Sequence, residues 1–327
     1  MKFSLCAALA CVLAPLAMPA RADLASGSMD VHWNQGAPNC AATPAPPLQV
    51  HRYNDQTFII RESLCATSQA PFLYLLIGTK RALLIDTGDV ADPTKMPLAK
   101  TVLGLLPGAT AGKLPLLVVH THGHSDHRRG DGQFQGLPHV QVVGTDLEQV
   151  TQYFGFKDWP TGSAVVDLGD RQVDVLPTPG HDVAEVSYYD HGTGLFFSGD
   201  FFLPGRLLIA DQAADIASTL RVADFARYHP VAYVLGSHIE LDADGHGFGQ
   251  WSHYHPKEHV LQMDHDVLVA LPEIIGQFNG FYTRFGMFVM VDQSRVLGTI
   301  GLALAILLVG VAWGIRHLII SRRQDSA

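Results

Sequence analysis

The chain has 327 residues, a hydrophobic content of 47%, and a net charge of −9 at pH 7 when its 17 histidines are counted as neutral. This length is sufficient for one large core or two modest ones. The negative charge argues against an extensive nucleic-acid interface, which normally requires a basic surface. We therefore expect no nucleic-acid partner.

Residues 1–22 have the pattern of a secretory signal peptide. Lys2 precedes an apolar run, and the run ends in the small-x-small sequence Ala20-Arg21-Ala22. We predict cleavage after Ala22, with an uncleaved anchor or a lipoprotein processed at Cys11 as alternatives.

The next segment, residues 23–50, is rich in Ala, Pro and Gly and is predicted to be an extended lead-in. It contains Cys40, which is left with Cys65 once the signal peptide is removed. In an oxidising compartment the two form either a disulfide or two free buried thiols, and the sequence does not decide between them.

Residues 51–294 are predicted to form one globular domain of alternating strands and helices. Strands are expected at about 72–77 and 81–86, and within 114–120, 170–181, 185–200 (with a turn at 190–194) and 230–238. The run at 114–120 is continuously apolar, which indicates a strand buried on both faces. This alternation predicts an α/β layer fold.

Three helices are expected between these strands. The first begins with Thr145 and Glu148 at the spacing of a capping box and stops at Gly155. The second places Ile216, Leu220 and Ala223 on one face. The third spans about 257–277, where Pro272 is expected to kink or stop it. The expected helix boundaries follow from hydrophobic periodicity and from helix-breaking residues.

The C-terminal region contains an uncharged run at residues 296–315, long enough to cross a bilayer. Arg295 precedes it, and three arginines follow it: Arg316, Arg322 and Arg323. We predict a transmembrane helix at 295–316 and a cytoplasmic tail at 317–327. A buried soluble helix is the alternative. Together with the signal peptide, this predicts an exported domain that faces the periplasm or cell exterior and is anchored in the membrane.

The sequence HTHGHSDH, residues 120–127, follows the apolar run at 114–119 and contains several metal-binding side chains. His122 and His124 are two apart, so in an extended segment they point to the same side and reach one ion. Asp126 and His127 follow directly and favour a second ion beside the first. Further candidate ligands follow other strands: His181 in TPGH, Asp200 in FSGD and His238 in LGSH.

These motifs resemble those of the metallo-β-lactamase fold superfamily. THGHSDH is similar to its T-H-x-H-x-D-H signature, and LIDTG at Asp86 and the motifs at His181, Asp200 and His238 occur in the same order. The resemblance covers about residues 55–240 and is specific, because five dispersed motifs rarely align by chance. It implies an αββα sandwich, with two sheets between outer helices.

The resemblance also implies a role for each motif residue. His122, His124 and His181 correspond to the ligands of a first metal, whereas Asp126, His127 and His238 correspond to those of a second. Asp200 corresponds to the carboxylate that bridges both metals, and Asp86 to an aspartate that supports the ligand loop. Asp126 is also expected to orient the nucleophile or transfer a proton. The expected cofactors are two divalent ions, with Zn²⁺ as first candidate and Mn²⁺ or iron as alternatives.

The leading hypothesis is an exported, membrane-anchored dinuclear metal-dependent hydrolase that acts on an ester-like small molecule, such as a thioester or lactone. β-Lactamases of this fold usually have Cys or Ser at the position of Asp200, so true β-lactamase activity is not expected. One alternative is a mono-iron sulfur dioxygenase that uses His122, His181 and Asp200. Another is a non-catalytic metal-binding module. The substrate and the oligomeric state stay open.

Other residues near these motifs are given no catalytic role. His120 is expected to pack or to support the ligands. Several later histidines are interpreted as polar surface, with a pocket wall or metal-handing tract as the alternative: His246, His253, His255, His259 and His265. Arg206 is either a surface residue or a contact for an acidic substrate. Phe201, Phe202 and Pro204 either line the pocket or belong to the core.

Overall fold

The computed structural model describes residues 24–108 and 114–324, with side chains described as far as Arg316. The predicted signal peptide lies outside the described residues. The strands are β1 (Leu48–Asn54), β2 (Thr57–Glu62), β3 (Phe72–Ile77), β4 (Ala82–Ile85), β5 (Leu116–Val119), β6 (Val140–Val142), β7 (Ala164–Asp167), β8 (Gln172–Pro177), β9 (Val186–Asp190), β10 (Leu195–Gly199), β11 (Arg206–Leu208), β12 (Tyr233–Gly236), β13 (Gln262–Met263), β14 (Tyr282–Phe285) and β15 (Phe288–Val291). The α-helices are α1 (Leu98–Leu105), α2 (Ser125–Arg128), α3 (Leu147–Phe154), α4 (Gln212–Tyr228), α5 (His265–Gly276) and α6 (Gln293–Gln324).

Two mixed six-stranded sheets form the centre of the molecule. The first has the order β1-β2-β3-β4-β5-β6, and the second has the order β13-β12-β10-β9-β8-β7. In the first sheet β4, β5 and β6 are parallel, and in the second β10 and β12 are parallel. Every residue of β5 is buried, as the continuous apolar run predicts.

The alternation of side chains along β3 explains how the layers stack. Tyr74 and Leu76 point into the core between the two sheets, where they meet Tyr188 and Phe197 of the second sheet. Leu73 and Leu75 point to the opposite face and pack against α1. The outer face of the second sheet is covered by α4 and α5 in the same way. The predicted αββα sandwich is therefore confirmed.

Three local predictions about the helices are wrong in detail. The capping box of α3 is formed by Asp146 and Gln149, one residue after the predicted pair, although Gly155 ends the helix as expected. In α4, Ala223 of the predicted face is buried, but Ile216 and Leu220 are exposed. The buried face combines apolar and polar residues, and Ser218 on it donates to the loop before His181.

The predicted helix at 257–277 begins only at His265. An extended segment that includes β13 precedes it, and Pro272 lies inside α5 without ending it.

The N-terminal arm is joined to the first sheet. Cys40 and Cys65 form a disulfide, which decides between the two alternatives that the sequence left open. Trp33 is buried in the core between the sheets. Gly36 forms an isolated bridge with Tyr254, so the arm also contacts the segment after β12.

A third, three-stranded sheet connects the domain to the C-terminal helix. Its order is β11-β15-β14, with β11 and β15 parallel and β14 and β15 antiparallel. Helix α6 begins directly after β15. Its segment Gln293–Arg316 has a mean hydropathy of 2.4, and its apolar window is not buried against the protein. In length and composition it is suited to cross a membrane.

Candidate metal centre

Three imidazoles from the two large sheets meet at one end of the sandwich. His122 and His124 follow β5, and His181 follows β8. The Nδ1 atom of His124 lies 2.9 Å from the Nε2 atom of His122 and 2.9 Å from the Nε2 atom of His181. The structure thus brings together the side chains predicted to bind the first metal.

A second group lies beside the first. Asp126 and His127 are in α2, and His238 follows β12. The Nε2 atom of His238 is 3.5 Å from Asp126 Oδ2, and the Nε2 atom of His127 is 3.7 Å from the same oxygen. The candidate ligand atoms of these three residues lie within 4.8 Å of one another, which is close enough for one ion.

Asp200 lies between the two groups. Its Oδ2 atom is 3.7 Å from His181 Nε2 and 3.6 Å from His127 Nε2, and its Oδ1 atom is 3.4 Å from His238 Nε2. Gly199, which precedes it, has φ +60° and packs against Thr121, so a larger residue there would both strain the turn and displace the ligand loop. The carboxylate therefore faces both candidate ligand groups.

Two buried atoms at this point have no hydrogen-bond partner among the described residues: His127 Nε2 and Asp200 Oδ1. Buried polar atoms are almost always paired, so both atoms indicate a ligand that the polypeptide itself does not supply. Imidazole nitrogens and carboxylate oxygens without a thiolate suit zinc, manganese or iron. The residues present fit divalent metal binding.

In three of the candidate histidines, the Nδ1 atom, which faces away from the site, has a hydrogen-bond acceptor beside it. His181 Nδ1 donates to the carbonyl oxygen of Leu208 at 2.8 Å, and His238 Nδ1 donates to that of Gln69 at 2.8 Å. His127 Nδ1 lies 2.9 Å from Asp86 Oδ2. These bonds fix the rings with Nε2 directed into the site, which is the orientation that metal ligation needs.

The electrostatics of the site favour a cation. Burial alone would raise the pKa values of Asp126 and Asp200, but the imidazoles of His238 and His127 hold both well below the usual range. Burial lowers the pKa of His238, yet Asp200 and Asp126 outweigh it and raise the value to about 9. Burial holds the pKa of His122 well below its ordinary value, which favours the neutral form that binds metals.

Two residues that the sequence did not single out contact the candidate ligands. Gln69 Nε2 donates to Asp126 Oδ2 at 2.9 Å across 57 positions of sequence. Glu185 Oε1 accepts a bond from the backbone N–H of Phe201 and lies 3.9 Å from His122 Nδ1. Burial raises the pKa of Glu185 well above its ordinary value. Neither residue lies in a motif with metal-ligand spacing, so no sequence signal identified them.

The residues left without a catalytic role have defined environments. His120 is buried, with Nε2 2.8 Å from Asp131 Oδ1, and Asp131 is not a candidate ligand, so this contact fits the packing role. The interpretation as polar surface is wrong for His255, which is buried, stacks on Phe248 and lies 3.1 Å from Glu258. It holds for His246 and His253, which are exposed, whereas His259 and His265 are half-buried.

Arg206 and the two phenylalanines also have defined environments. Arg206 pairs with Glu240 at 2.6 Å in a half-buried position, and both side chains line the cavity described below. Phe201 and Phe202 are buried in the core between the second sheet and its helices. They pack and do not line the cavity described below.

A cavity of about 800 Å³ opens on the metal centre. At its inner end it is lined by Asp126, His181, Asp200 and His238. Its walls come from the third sheet, from the segment 248–255 and from the first turn of α6. The volume is within the range of small-molecule sites, about 300–1,000 Å³.

Comparison with known proteins agrees with this arrangement. Residues 70–269 match the family model described as the metallo-beta-lactamase superfamily. The acyl-coenzyme A thioesterase MBLAC2 of Homo sapiens is 27% identical over 186 residues, which is 47% of this chain and 66% of the human protein. The Gallus gallus protein of that name is 28% identical over 217 residues, or 56% of this chain and 78% of its own length. A hydroxyacylglutathione hydrolase of Aeromonas hydrophila is 28% identical over 156 residues, covering 46% of this chain and 56% of that protein.

Two solved structures match the chain at low identity and with TM-scores below 0.5. A metallo-beta-lactamase from Pontibacter korlensis is 20% identical with a TM-score of 0.48, covering 71% of this chain and 100% of its own. One from Erythrobacter litoralis is 14% identical with a TM-score of 0.48, covering 72% of this chain and 98% of its own. The family match extends over more than half of the chain and includes every predicted ligand, and this chain belongs to the metallo-beta-lactamase superfamily.

Proposed function

We propose that this chain is a dinuclear metal-dependent hydrolase that cleaves a thioester or a related acyl ester. The observation that carries the proposal is the position of Asp200, whose two oxygens face both ligand groups. Relatives named as a thioesterase and as a hydroxyacylglutathione hydrolase support hydrolysis of an acyl bond. Since the chain spans only 56–78% of these two relatives, their substrates are carried over as a class and not individually.

In this proposal each ion takes ligands from both large sheets. His122, His124 and His181 hold the first ion, with zinc as the first candidate and manganese or iron as alternatives. Asp126, His127 and His238 would hold the second, and Asp200, which faces both groups, would serve as a ligand to both. When bound, divalent ions supply a water that is deprotonated near neutral pH and polarise the substrate carbonyl.

The side chains around the ligands orient the reaction. Asp126 is positioned by Gln69, and its carboxylate can take the proton of the attacking water. Asp86 positions His127 through Nδ1. Water adds to the acyl carbon, the C–S or C–O bond breaks, and a carboxylic acid and a thiol or alcohol leave.

We also propose that the domain is exported and anchored in the membrane. The signal-peptide pattern of residues 1–22 and the arginines after residue 315 support this orientation. Residues 51–294 then form the catalytic domain outside the cytoplasm, and α6 holds it at the membrane surface.

The test is metal content together with thioester hydrolysis by the full chain in detergent, purified without added metal. We expect two zinc or manganese ions per chain, and loss of at least one ion and of hydrolysis in Asp200→Ala. The matched control is Asp242→Ala, because Asp242, Asp244 and His246 form the other described cluster that could hold a metal, and it lies outside the site.

Each remaining outcome contradicts the proposal. Loss of an ion in Asp242→Ala, with unchanged content in Asp200→Ala, would place the second ion on the surface. One iron per chain, with oxygen uptake in the presence of a persulfide, would replace hydrolysis by dioxygenase chemistry.

A further inference from the structure

We propose that the substrate is a long-chain acyl ester or thioester dissolved in the adjoining bilayer leaflet, and that its acyl chain enters the cavity beside α6. This inference rests on the proposed hydrolase function and names the substrate class of the same site. It comes from the position of the cavity between the metal centre and the start of the apolar helix.

The cavity wall includes both the candidate ligands and the beginning of the membrane-spanning run. Asp126, His181 and Asp200 line it, and Val296 and Leu297 line it as well. Val296 and Leu297 are the first two residues of the uncharged run 296–315. A helix of this length spans about 30 Å, which matches the hydrocarbon thickness of a bilayer. With α6 anchored as proposed, the part of the cavity lined by Val296 and Leu297 lies at the edge of the hydrocarbon layer.

The lining combines apolar and polar side chains. Its apolar members include Leu208, Val289 and Val291 of the third sheet, together with Phe248 and Trp251. The charged Arg206 and Glu240, which pair with each other, lie in the same lining. The apolar members suit the chain of an acyl ester, and the candidate metal ligands suit its polar carbonyl.

The start of α6 is fixed relative to the metal centre. Arg295 donates from Nη1 to the carbonyl of Gly280 at 2.8 Å and pairs through Nε with Asp292 at 3.0 Å. Strand β15, which precedes α6, pairs with β11, and Leu208 in β11 accepts the bond from His181 Nδ1. The third sheet therefore fixes the position of His181, a candidate ligand, relative to the start of α6.

Exposed aromatic side chains lie in and beside the segments that line the cavity together with the start of α6. Trp251 is 74% exposed, and Phe281, Tyr282 and Phe285, in and next to β14, are also exposed. Aromatic residues are enriched where proteins meet the interfacial region of a bilayer. Their position beside the hairpin that leads into α6 is an independent indication that this face contacts lipid.

The test uses the full chain in phospholipid vesicles and the acetyl, hexanoyl, decanoyl and palmitoyl thioesters of one thiol. We expect kcat/KM to rise with chain length, by up to about fourfold for each added CH₂ group until the cavity is filled. At a fixed mole fraction in the bilayer, turnover of the palmitoyl thioester should not change when the vesicles are diluted. Turnover of the acetyl thioester should fall with its bulk concentration.

A matched pair of variants tests the position of the chain. Val296→Trp narrows the cavity where α6 lines it. We expect the ratio of palmitoyl to acetyl kcat/KM to fall by about tenfold or more, which is equivalent to the loss of roughly two buried CH₂ groups. Val309→Trp adds the same bulk to α6 outside the cavity wall and should keep the wild-type ratio.

A binding measurement does not depend on turnover. A fatty acid brominated along its chain should quench the fluorescence contributed by Trp251, obtained as the difference between the wild type and Trp251→Phe. The reference is the same protein in vesicles that contain a brominated phospholipid and no fatty acid. Equal quenching of Trp251 in the two samples would contradict entry of the chain into the cavity.

The outcomes separate the two proposals. Equal kcat/KM for all chain lengths, or palmitoyl turnover that falls on dilution, would overturn the bilayer route and leave the hydrolase function intact. An unchanged chain-length ratio in Val296→Trp would overturn the assigned path of the chain. Failure of metal-loaded protein to cleave any thioester would refute the proposed function, and this inference with it.

Discussion

Replacing Asp86 by Asn tests how the second metal site is held. The buried carboxylate of Asp86 lies 2.9 Å from His127 Nδ1 and accepts bonds from Thr121 N at 2.8 Å and Thr121 Oγ1 at 2.9 Å. Asp86 has φ +65°, in the left-handed region that Asn and Asp tolerate better than other L residues. Asn therefore preserves the backbone and removes one acceptor and the charge.

The expected effect is a change in the proton position on His127. The Asn oxygen can still accept from Thr121, which leaves its NH₂ group facing His127 Nδ1. That nitrogen must then accept, so the neutral ring carries its proton on Nε2, the atom directed at Asp126 and Asp200. A protonated Nε2 cannot bind a metal.

Loss of such a supporting bond typically weakens metal binding by about 10–100-fold, or roughly 1.4–2.8 kcal/mol. We expect the larger loss at the second site, because Asp86 bonds His127 directly, whereas it reaches the first group only through Thr121 Oγ1, which lies 3.2 Å from His122 Nδ1. The assay is competition of the protein with a chromogenic zinc chelator, which resolves the two affinities.

Asp190→Asn is the control for a buried aspartate outside the site. Asp190 pairs with the buried Arg171 at 2.6 Å, so its loss should destabilise the fold by about 3–5 kcal/mol. The metal affinities of the folded Asp190→Asn protein should not change. Wild-type affinity at both sites in Asp86→Asn would refute the reasoning, and so would an equal loss in both variants.

Three further predictions concern groups around the site. Gln69→Leu removes the donor to Asp126 and should weaken the second site by about tenfold in the same titration; an effect confined to the first site would contradict this role. Burial raises the pKa of Asp215 to about 8, above its unfolded value near 4, so the wild type loses stability as pH rises from about 4 to 8. Asp215→Asn should therefore gain up to about 1.4 kcal/mol per pH unit over the wild type in that window, measured by thermal unfolding in detergent; a pH-independent difference would exclude this cause. Replacing both Cys40 and Cys65 by Ser opens a loop with a sequence separation of 25 and should cost about 3 kcal/mol of stability by the same measurement, whereas an unchanged melting temperature would show that the arm is held by its other contacts.

The sequence indicated which side chains the fold brings together, because these residues are tied to strand ends. Each motif belongs to or follows a predicted strand, and side-chain type then limits the chemistry. The residues that escaped prediction, Gln69 and Glu185, act through single contacts between distant segments. Such contacts depend on the tertiary fold and leave no local pattern.

The third sheet escaped prediction for a related reason. Strand β14 is mostly exposed and short, so it lacks the apolar alternation that identifies a strand in sequence. The buried face of α4 was misjudged because Asp215, Ser218 and Thr219 are buried there. These polar residues lie against the Pro179–Gly180 turn, to which Ser218 donates a bond, and the apolar Ile216 and Leu220 are left outside. In both cases a tertiary contact overrides the hydrophobic period.

The arrangement of ligands explains why a metal centre and a membrane helix can act together in this chain. Each candidate ion takes side chains that follow strands of both large sheets, so metal binding would join the two sheets at the end where the cavity opens. His181 from the second sheet is bonded to Leu208, and through the pairing of β11 and β15 this contact continues to the first turn of α6. A displacement of α6 relative to the domain would therefore be transmitted to a ligand of the first ion. In the proposed membrane orientation, anchoring of the helix would fix that relation and place the cavity where an acyl chain could enter from the lipid.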